Sequence, residues 1–398
     1  MNNVSFPPIL LAEDTLDDGD ISELIQWLGG KPRLTKGPRT LEFEASFAAM
    51  VGARFAVFVN SGSSANLLVA SALMQRESLR NNRVVCPAVS WVTTVTPFMQ
   101  LGFDVALVEA DSDDLGVDIE ALERLFIDFD PAVLVIVHVL GHPNKMAQIL
   151  DLCRRYDVRL VEDTCEALGT TTLGGDWLGT LGDCGTFSFY FGHHISTIEG
   201  GIAVTDDEEL YELMLSIRSH GWSRDLSADT QERLRGKWQV DDFSNFYTFY
   251  LEGFNLRPTD LSAQLGMTQL PKINQIAEVR QNNFDVYRNH LHNYWTQSSL
   301  TGRLSSFAFG TLVENREGLA RALAQAGIES RPLICGNIGR HPFWLRKRAE
   351  FRSPMADLVH EKGIYLPNHA RLNPSMIEAV CEIVMRESVP VYPEKRVR

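Results

Sequence analysis

Seven short apolar runs punctuate the first half of the chain: residues 55–60 (FAVFVN), 83–87 (RVVCP), 104–109 (DVALVE), 132–139 (AVLVIVHV), 159–163 (RLVED), 186–190 (TFSFY) and 201–205 (GIAVT). They are rich in Val, Phe and Ile and show little alternation of apolar with polar positions. Strands buried on both faces read this way, because neither face has to meet water. Helical spacing separates them, as at residues 65–75 (ANLLVASALMQ) and 145–156 (KMAQILDLCRRY). Strand alternating with helix predicts an α/β fold built on a mainly parallel, mixed sheet of these seven strands, covered on both faces.

Beyond about residue 270 the pattern changes. Helical sequence over 262–293 contains Pro271, which predicts a break or kink. Apolar runs at 305–313 and 330–334, with helices at 317–326 and 374–385, predict a smaller α+β unit. The expected organisation is an N-terminal arm and helix over 1–30, a large domain over 31–270 and a small C-terminal domain over 271–398. No repeat or low-complexity tract interrupts it, and the basic tail EKRVR reads as a solvated end.

Composition narrows the function classes. The chain has 398 residues and a formal net charge of −14, which argues against a nucleic-acid partner because phosphate backbones are bound through Lys and Arg. No apolar run approaches the ~18 residues that a membrane-spanning helix needs. The opening MNNVSFPPILLAEDTLDDGD lacks a basic start and turns acidic early, so no secretory leader and a cytoplasmic location are expected. The six cysteines, Cys86, Cys153, Cys165, Cys184, Cys335 and Cys381, form no CxxC pair and match no zinc spacing. They read as reduced, mostly buried thiols, and no metal site is expected.

Three segments carry candidate chemistry. Residues 60–66 (NSGSSAN) follow a strand and open a helix, where small residues and free amides suit a phosphate. The same turn serves equally as a plain helix cap. Residues 161–169 (VEDTCEALG) put Asp163 at the end of an apolar strand, the edge where open α/β sheets carry their ligands. A buried Asp there needs a cationic partner, such as a protonated pyridine nitrogen, or acts as a cap. Residues 187–201 (FSFYFGHHISTIEGG) gather Ser188, Tyr190, His193 and His194 on one strand-to-loop passage. Adjacent histidines point apart, so they make a poor metal pair, and structural histidines remain the alternative.

Together and in order, these segments resemble the sugar-modifying branch of the pyridoxal-phosphate enzymes of fold type I, the DegT/DnrJ family. The resemblance covers nearly the whole chain. It also takes in residues 35–43 (TKGPRTLEF), 87–94 (PAVSWVTT), 253–260 (GFNLRPTD) and 365–369 (YLPNH). It implies that Gly62, Ser63 and Ser188 hold the cofactor phosphate and that Trp91 stacks on the pyridine ring. Asp163 is implied to pair with the pyridine nitrogen, and Glu166 to stand near the ring oxygen, where many relatives carry Gln. Asn255 is implied to reach the phosphate held by a neighbouring subunit, which requires a homodimer with a shared active site.

One departure from the family pattern redirects the expected chemistry. The position of the family's Schiff-base Lys is occupied by His193, and no Lys occurs between Lys145 and Lys237. An imidazole forms no stable imine with an aldehyde, but it moves protons near neutrality. His193 is therefore the expected base, with His194 in reserve. The exchange resembles the 3-dehydratases of dideoxysugar synthesis, which hold pyridoxal or pyridoxamine phosphate without a covalent link. Some of these carry an iron–sulfur cluster, but residues 185–334 contain no Cys, so the cluster-free type is expected. That type implies a GDP-linked 4-keto-6-deoxyhexose substrate, L-glutamate as amino donor, and release of ammonia. His220, Arg331 and Asn337 are expected to contact substrate, and Arg331 has the fork for a carboxylate or a phosphate. Two readings compete: an aminotransferase of the same family, and an inactive binding or regulatory homologue.

Overall fold

The computed structural model describes residues 7–393. The basic tail 394–398 and the first six residues lie outside the described part. In chain order the elements open with α1 (Asp18–Gly29), α2 (Pro38–Val51), β1 (Phe55–Val59), α3 (Gly62–Met74), β2 (Arg83–Pro87), α4 (Val92–Gln100) and β3 (Asp104–Val108). There follow α5 (Ile119–Phe129), β4 (Val133–Val137), α6 (Met146–Tyr156), β5 (Arg159–Asp163), β6 (Cys184–Ser188), β7 (Gly201–Thr205), α7 (Glu208–Arg218) and α8 (Ala228–Trp238). The remainder comprises α9 (Asp260–Gln269), α10 (Ile273–His290), β8 (Phe309–Leu312), α11 (Arg316–Gln325), β9 (Arg331–Pro332), α12 (Pro342–Leu345), α13 (Pro354–Lys362), β10 (Gly363–Leu366) and α14 (Pro374–Glu387).

The first seven strands form one mixed sheet in the order β1-β7-β6-β5-β4-β2-β3. Pairing is parallel from β6 through to β3, while β7 runs antiparallel to both β6 and β1. β7 alone is reversed, so β1, β4, β5 and β6 all end at the same edge. Every residue of β4, β6 and β7 is buried, which is why these runs lack alternation.

Each face of the sheet has its own core. Leu68, Leu73, Phe98 and Met214 from α3, α4 and α7 cover one side. Leu122, Phe126, Ile149 and Leu152 from α5 and α6 cover part of the other. Beside them Phe43 and Phe47 of α2 pack edge-on against Phe58, Phe187 and Phe189, with centroid distances of 4.8–5.6 Å. Edge-to-face geometry suits the ring quadrupoles and adds to the burial of about 150–250 Å² per ring.

The period-2 alternation of β5 separates two neighbouring acids. Glu162 faces one side, where its carboxylate accepts from the amides of Gly179, Leu181 and Gly182 at 2.7–3.0 Å and pairs with His138 at 3.0 Å. Asp163 faces the other side, at the C-terminal edge.

A second sheet, β8-β10-β9, is antiparallel throughout. Its core joins Phe309, Ile364 and Leu366 to α10, α11 and α14 through Tyr287, Leu323 and Val380. Pro271 falls in a single 3-10 turn, Leu270–Lys272, between α9 and α10, so the expected break is a tightened turn rather than a gap. The strand expected over 186–190 lies two residues earlier, at Cys184–Ser188. Its last residues leave the ladder because Phe189 and Phe191 bond to Gly200 and Ile198 in a loop instead. β10 had no counterpart in the sequence reading, being four residues long and continuous with α13.

Candidate active site

A cavity of about 480 Å³ opens at the shared edge of β1, β4, β5 and β6. Its lining draws Ser61, Gly62 and Ser63 from the β1–α3 turn, Trp91 from the start of α4, Val137 from β4 and Asp163 from β5. Ser188 ends β6, His193 and Glu199 follow it, and Phe307, Ala308 and Tyr365 enter from the smaller sheet.

Close backbone approach builds the floor. A Cβ on Gly62 would stand 2.6 Å from Ser188 Cβ and 3.1 Å from Cys165 Sγ. A Cβ on Gly201 would meet Ser61 at 2.4 Å, so the turn passes directly over β7. Ser61 caps α3, its side chain accepting from Ser64 N. The amides of Gly62 and Ser63 belong to the first turn, where no intrahelical acceptor exists. With the helix dipole they form an anion cradle beside the Ser188 hydroxyl. Ser63 Oγ also meets Thr93 Oγ1 at 2.9 Å.

Asp163 is held by neighbours on three elements. Its Oδ2 accepts from Asn66 Nδ2 at 2.9 Å and Thr94 Oγ1 at 2.8 Å, and Oδ1 accepts from Cys165 N at 3.1 Å. Among the described residues no Lys or Arg pairs with it. A buried carboxylate left with only neutral donors fits a cationic N–H arriving in the cavity. Glu166 lies on the same lining, and its Oε2 accepts from Leu140 N at 2.9 Å. Burial pushes its carboxyl up to about 8, so it carries a proton at neutral pH. Trp91 is 53% exposed, an aromatic face at the cavity rim.

The histidine doublet divides cleanly. His193 lines the cavity, and its Nδ1 is buried with no partner. Burial and the charge of Arg280 lower its pKa to about 4, keeping the ring neutral. His194 is 1% exposed, and its Nε2 donates to the carbonyl of Ser305 at 3.0 Å. A ring pinned to a backbone carbonyl is a structural group, so His194 is not at the reacting position.

Not every expected residue reaches the cavity. Asn337 is fully buried, where its Nδ2 donates to Phe351 O and Asp357 Oδ1 and its Oδ1 accepts from Gly339 N, all at 2.9 Å. With both side-chain polar atoms spent on its own turn, on Phe351 and on Asp357 of α13, the expected substrate contact is corrected to a structural role. His220 sits in the left-handed region, φ 65°, against Trp222, and does not line this cavity, contrary to expectation. Arg331 is exposed on β9 opposite Tyr365, so it stands behind the lining rather than on it. Asn255 is exposed outside the cavity and accepts from Arg257 Nε at 3.0 Å.

Sequence reasoning overlooked Asn66 and Thr94, although both lie in quoted motifs, one helical turn past Gly62 and Trp91. Leu11 and Ala12 of the N-terminal arm also line the cavity. The arm is fixed by Ile9 N donating to Gly327 O at 2.9 Å and Leu11 N to Glu329 Oε2 at 3.1 Å. No local pattern signals such a long-range contact.

Comparison with known proteins fits this geometry. Residues 15–385 match the DegT/DnrJ/EryC1/StrS aminotransferase family, and the chain belongs to it. It is 34% identical over 379 residues to the GDP-4-keto-6-deoxy-D-mannose 3-dehydratase of Yersinia pseudotuberculosis, covering 92% of this chain and 94% of that protein. A crystal structure of GDP-4-keto-6-deoxymannose-3-dehydratase, a His-to-Asn variant with bound GDP-perosamine, superposes with a TM-score of 0.87 at 32% identity, covering 94% of this chain and 99% of that one. Another, with a trapped PLP-glutamate geminal diamine, gives 0.86 at 32% identity over 94% and 99%. The aminotransferase-like fold of the chain is thereby established. All six cysteines are free thiols, four of them buried. Among the described residues no helix is long and apolar enough to cross a membrane.

Proposed function

We propose that this chain is a pyridoxal-phosphate-dependent dehydratase that removes the C3 hydroxyl of a GDP-linked 4-keto-6-deoxyhexose. L-glutamate serves as amino donor and ammonia is released. The observation that carries the reading is His193 on the lining of a cavity that no Lys lines. The identity with GDP-4-keto-6-deoxy-D-mannose 3-dehydratases supports the substrate class.

The residues present fit the cofactor. The amides of Gly62 and Ser63 and the hydroxyl of Ser188 would hold its phosphate, Asp163 its ring nitrogen, and Trp91 a ring face. Protonated Glu166 would donate to the ring oxygen. When bound, the cofactor supplies an amine for the 4-keto group and an electron sink for C–O cleavage.

This chain's own groups then position and move protons. Asn66, Thr94 and Cys165 fix the Asp163 carboxylate. His193, neutral because it is buried near Arg280, accepts a proton and can return one. Phe307, Ala308 and Tyr365 cover the cavity from the smaller sheet and exclude water. We further propose a homodimer, in which Asn255 serves the neighbour's phosphate, a cytoplasmic setting, and the division into arm, large and small domains near residues 30 and 270.

Borohydride reduction tests the non-covalent cofactor. The cofactor is expected to stay separable from the reduced chain, and glutamate to abolish the aldehyde absorbance. A reduced covalent adduct would instead place a lysine in the site and favour an aminotransferase.

A further inference from the structure

An imidazole that moves protons is commonly aimed by the hydrogen bond its second nitrogen makes. His193 lacks that bond: its Nδ1 is buried without a partner among the described residues. Aromatic contacts hold the ring instead. Its centroid lies 5.3 Å from that of Phe307, with the planes tilted by 57°, and 6.0 Å from that of Tyr190 at 79°. Tyr190 is exposed, whereas Phe307 is half-buried.

Phe307 is anchored through its backbone on both sides. Its N donates to Leu140 O at 2.9 Å, and its O accepts from Arg280 Nη1 at 3.0 Å. The same Arg280 nitrogen donates to Ser306 O at 3.3 Å and to Asn368 O. The guanidinium carbon also stands 5.9 Å from the Phe307 ring centroid. Asn368 Nδ2 completes the lock by donating to Arg280 O at 3.0 Å and Ser306 O at 3.1 Å. Helix α10 is thus tied to the passages 305–307 and 367–369, which flank the smaller sheet.

Arg280 is 2% exposed, and among the described residues no carboxylate pairs with it. Burial lowers its pKa to about 9, so it stays cationic at neutral pH, held by carbonyl dipoles alone. A buried cation without a counter-ion is costly to keep. Three rings feel its charge. His193, His194 and His369 are all pushed below the ordinary imidazole value, by burial first and by Arg280 second. The other titratable groups facing His193 are Tyr190 and His194 on its own passage and Glu199 beyond them. Asp163, Cys165 and Glu166 face it from the end of β5, and Tyr365 from β10. None of these is a cation at neutral pH.

We infer that Arg280 and Phe307 are positioning residues for His193: Phe307 holds its ring, and Arg280 fixes Phe307 and sets an unpaired positive charge behind it. The ring is thereby kept free to take a proton, and a proton once taken is readily passed on. That His193 is the base rests on the proposed function, whereas the hold on its ring does not.

The test is an NMR titration of the cofactor-loaded protein with isotope-labelled histidine, the His193 signal being assigned by its loss in His193→Asn. In wild type the midpoint lies near pH 4. R280Q keeps amide donors for the carbonyls and removes the charge. It should raise the midpoint by about one unit, the scale of one charge acting across an aromatic ring at an effective dielectric of about 20. R280K keeps the charge and should leave the midpoint in place. The acid limb of kcat/KM should follow the same order. A merely structural role would lower stability in both variants and move the midpoint in neither.

F307L leaves the backbone contacts of Arg280 intact and removes the aromatic ring, so it keeps the inference falsifiable where R280Q does not fold. It should shift the His193 ring resonances and lower kcat by about 10- to 100-fold, the scale of a small misplacement of a reacting group. An unmoved midpoint in R280Q, or unshifted resonances with wild-type kcat in F307L, overturns the inference. A raised midpoint in R280Q, with no sugar consumed by the wild type, overturns the dehydratase alone.

Discussion

Asn66 donates from Nδ2 to Asp163 Oδ2 at 2.9 Å while its own Oδ1 accepts from Thr186 Oγ1 at 2.6 Å. The Asp163 carboxylate, which only accepts, fixes which way the amide points, because a flipped amide would set its carbonyl against it, and the Thr186 hydroxyl donates to the oxygen left on the other side. β5 and β6 are thus tied together through one residue of α3. Asp163→Asn should lower kcat by about 100-fold or more, the scale of losing a preorganised electrostatic partner. Asn66→Ala should weaken cofactor affinity about tenfold through the orientation of Asp163, with a smaller effect on kcat. Cofactor titration and steady-state kinetics separate the two effects.

The divergence of His193 and His194 makes a paired prediction. His193→Asn should abolish ammonia release by a factor of about 100 to 10,000, the usual scale of general acid–base catalysis, while cofactor binding persists. His194→Asn should instead lower stability by about 1–3 kcal/mol through the lost Ser305 bond, with the chemistry largely retained. The base must be unprotonated, and the pKa of His193 lies near 4. The acid limb of kcat/KM should therefore fall near pH 4 rather than near the imidazole's ordinary value.

Glu166 couples the cavity to stability. Its folded pKa, about 8, lies above the ordinary 4.5. Between those values the folded state keeps a proton that the unfolded chain has released, so stability falls as pH rises through the window. Glu166→Gln removes this dependence and still accepts from Leu140 N. The cofactor-free variant should be more stable than wild type by about 4 kcal/mol at pH 8. The gap should close towards pH 4.5, as read by denaturant titration at each pH.

Gly62→Ala tests the floor of the cavity. Its Cβ would overlap Ser188 Cβ at 2.6 Å, so α3 must move off β6. Cofactor affinity should fall at least tenfold, and stability by about 1–3 kcal/mol, the range for forcing a group into a packed site. Thermal unfolding with and without cofactor reports both.

Much of this molecule was legible in the sequence. Buried strands announce themselves by unbroken apolar runs, and three of them, at 83–87, 159–163 and 201–205, end where expected. Asp163, Ser188 and His193 fall on one cavity because strand ends share one edge. What stayed hidden depends on contacts far apart in sequence. Asn337 looked like a ligand because the family resemblance draws substrate contacts from the small-domain segment 331–337, and only the fold reveals that Phe351, Asp357 and Gly339 consume it. The doublet was unresolved because one residue of slack separates a cavity from a carbonyl. Leu11 and Ala12 gave no sign, since the arm is held by residues 327–329.

The fate of nitrogen separates the dehydratase from an aminotransferase. The decisive measurement mixes the cofactor-loaded protein with L-glutamate and GDP-4-keto-6-deoxymannose and follows free ammonia against sugar consumption. One ammonia per sugar consumed, a 3-deoxy product without nitrogen, and loss of both in His193→Asn are expected. An aminated sugar formed without ammonia would contradict the dehydratase and identify an aminotransferase.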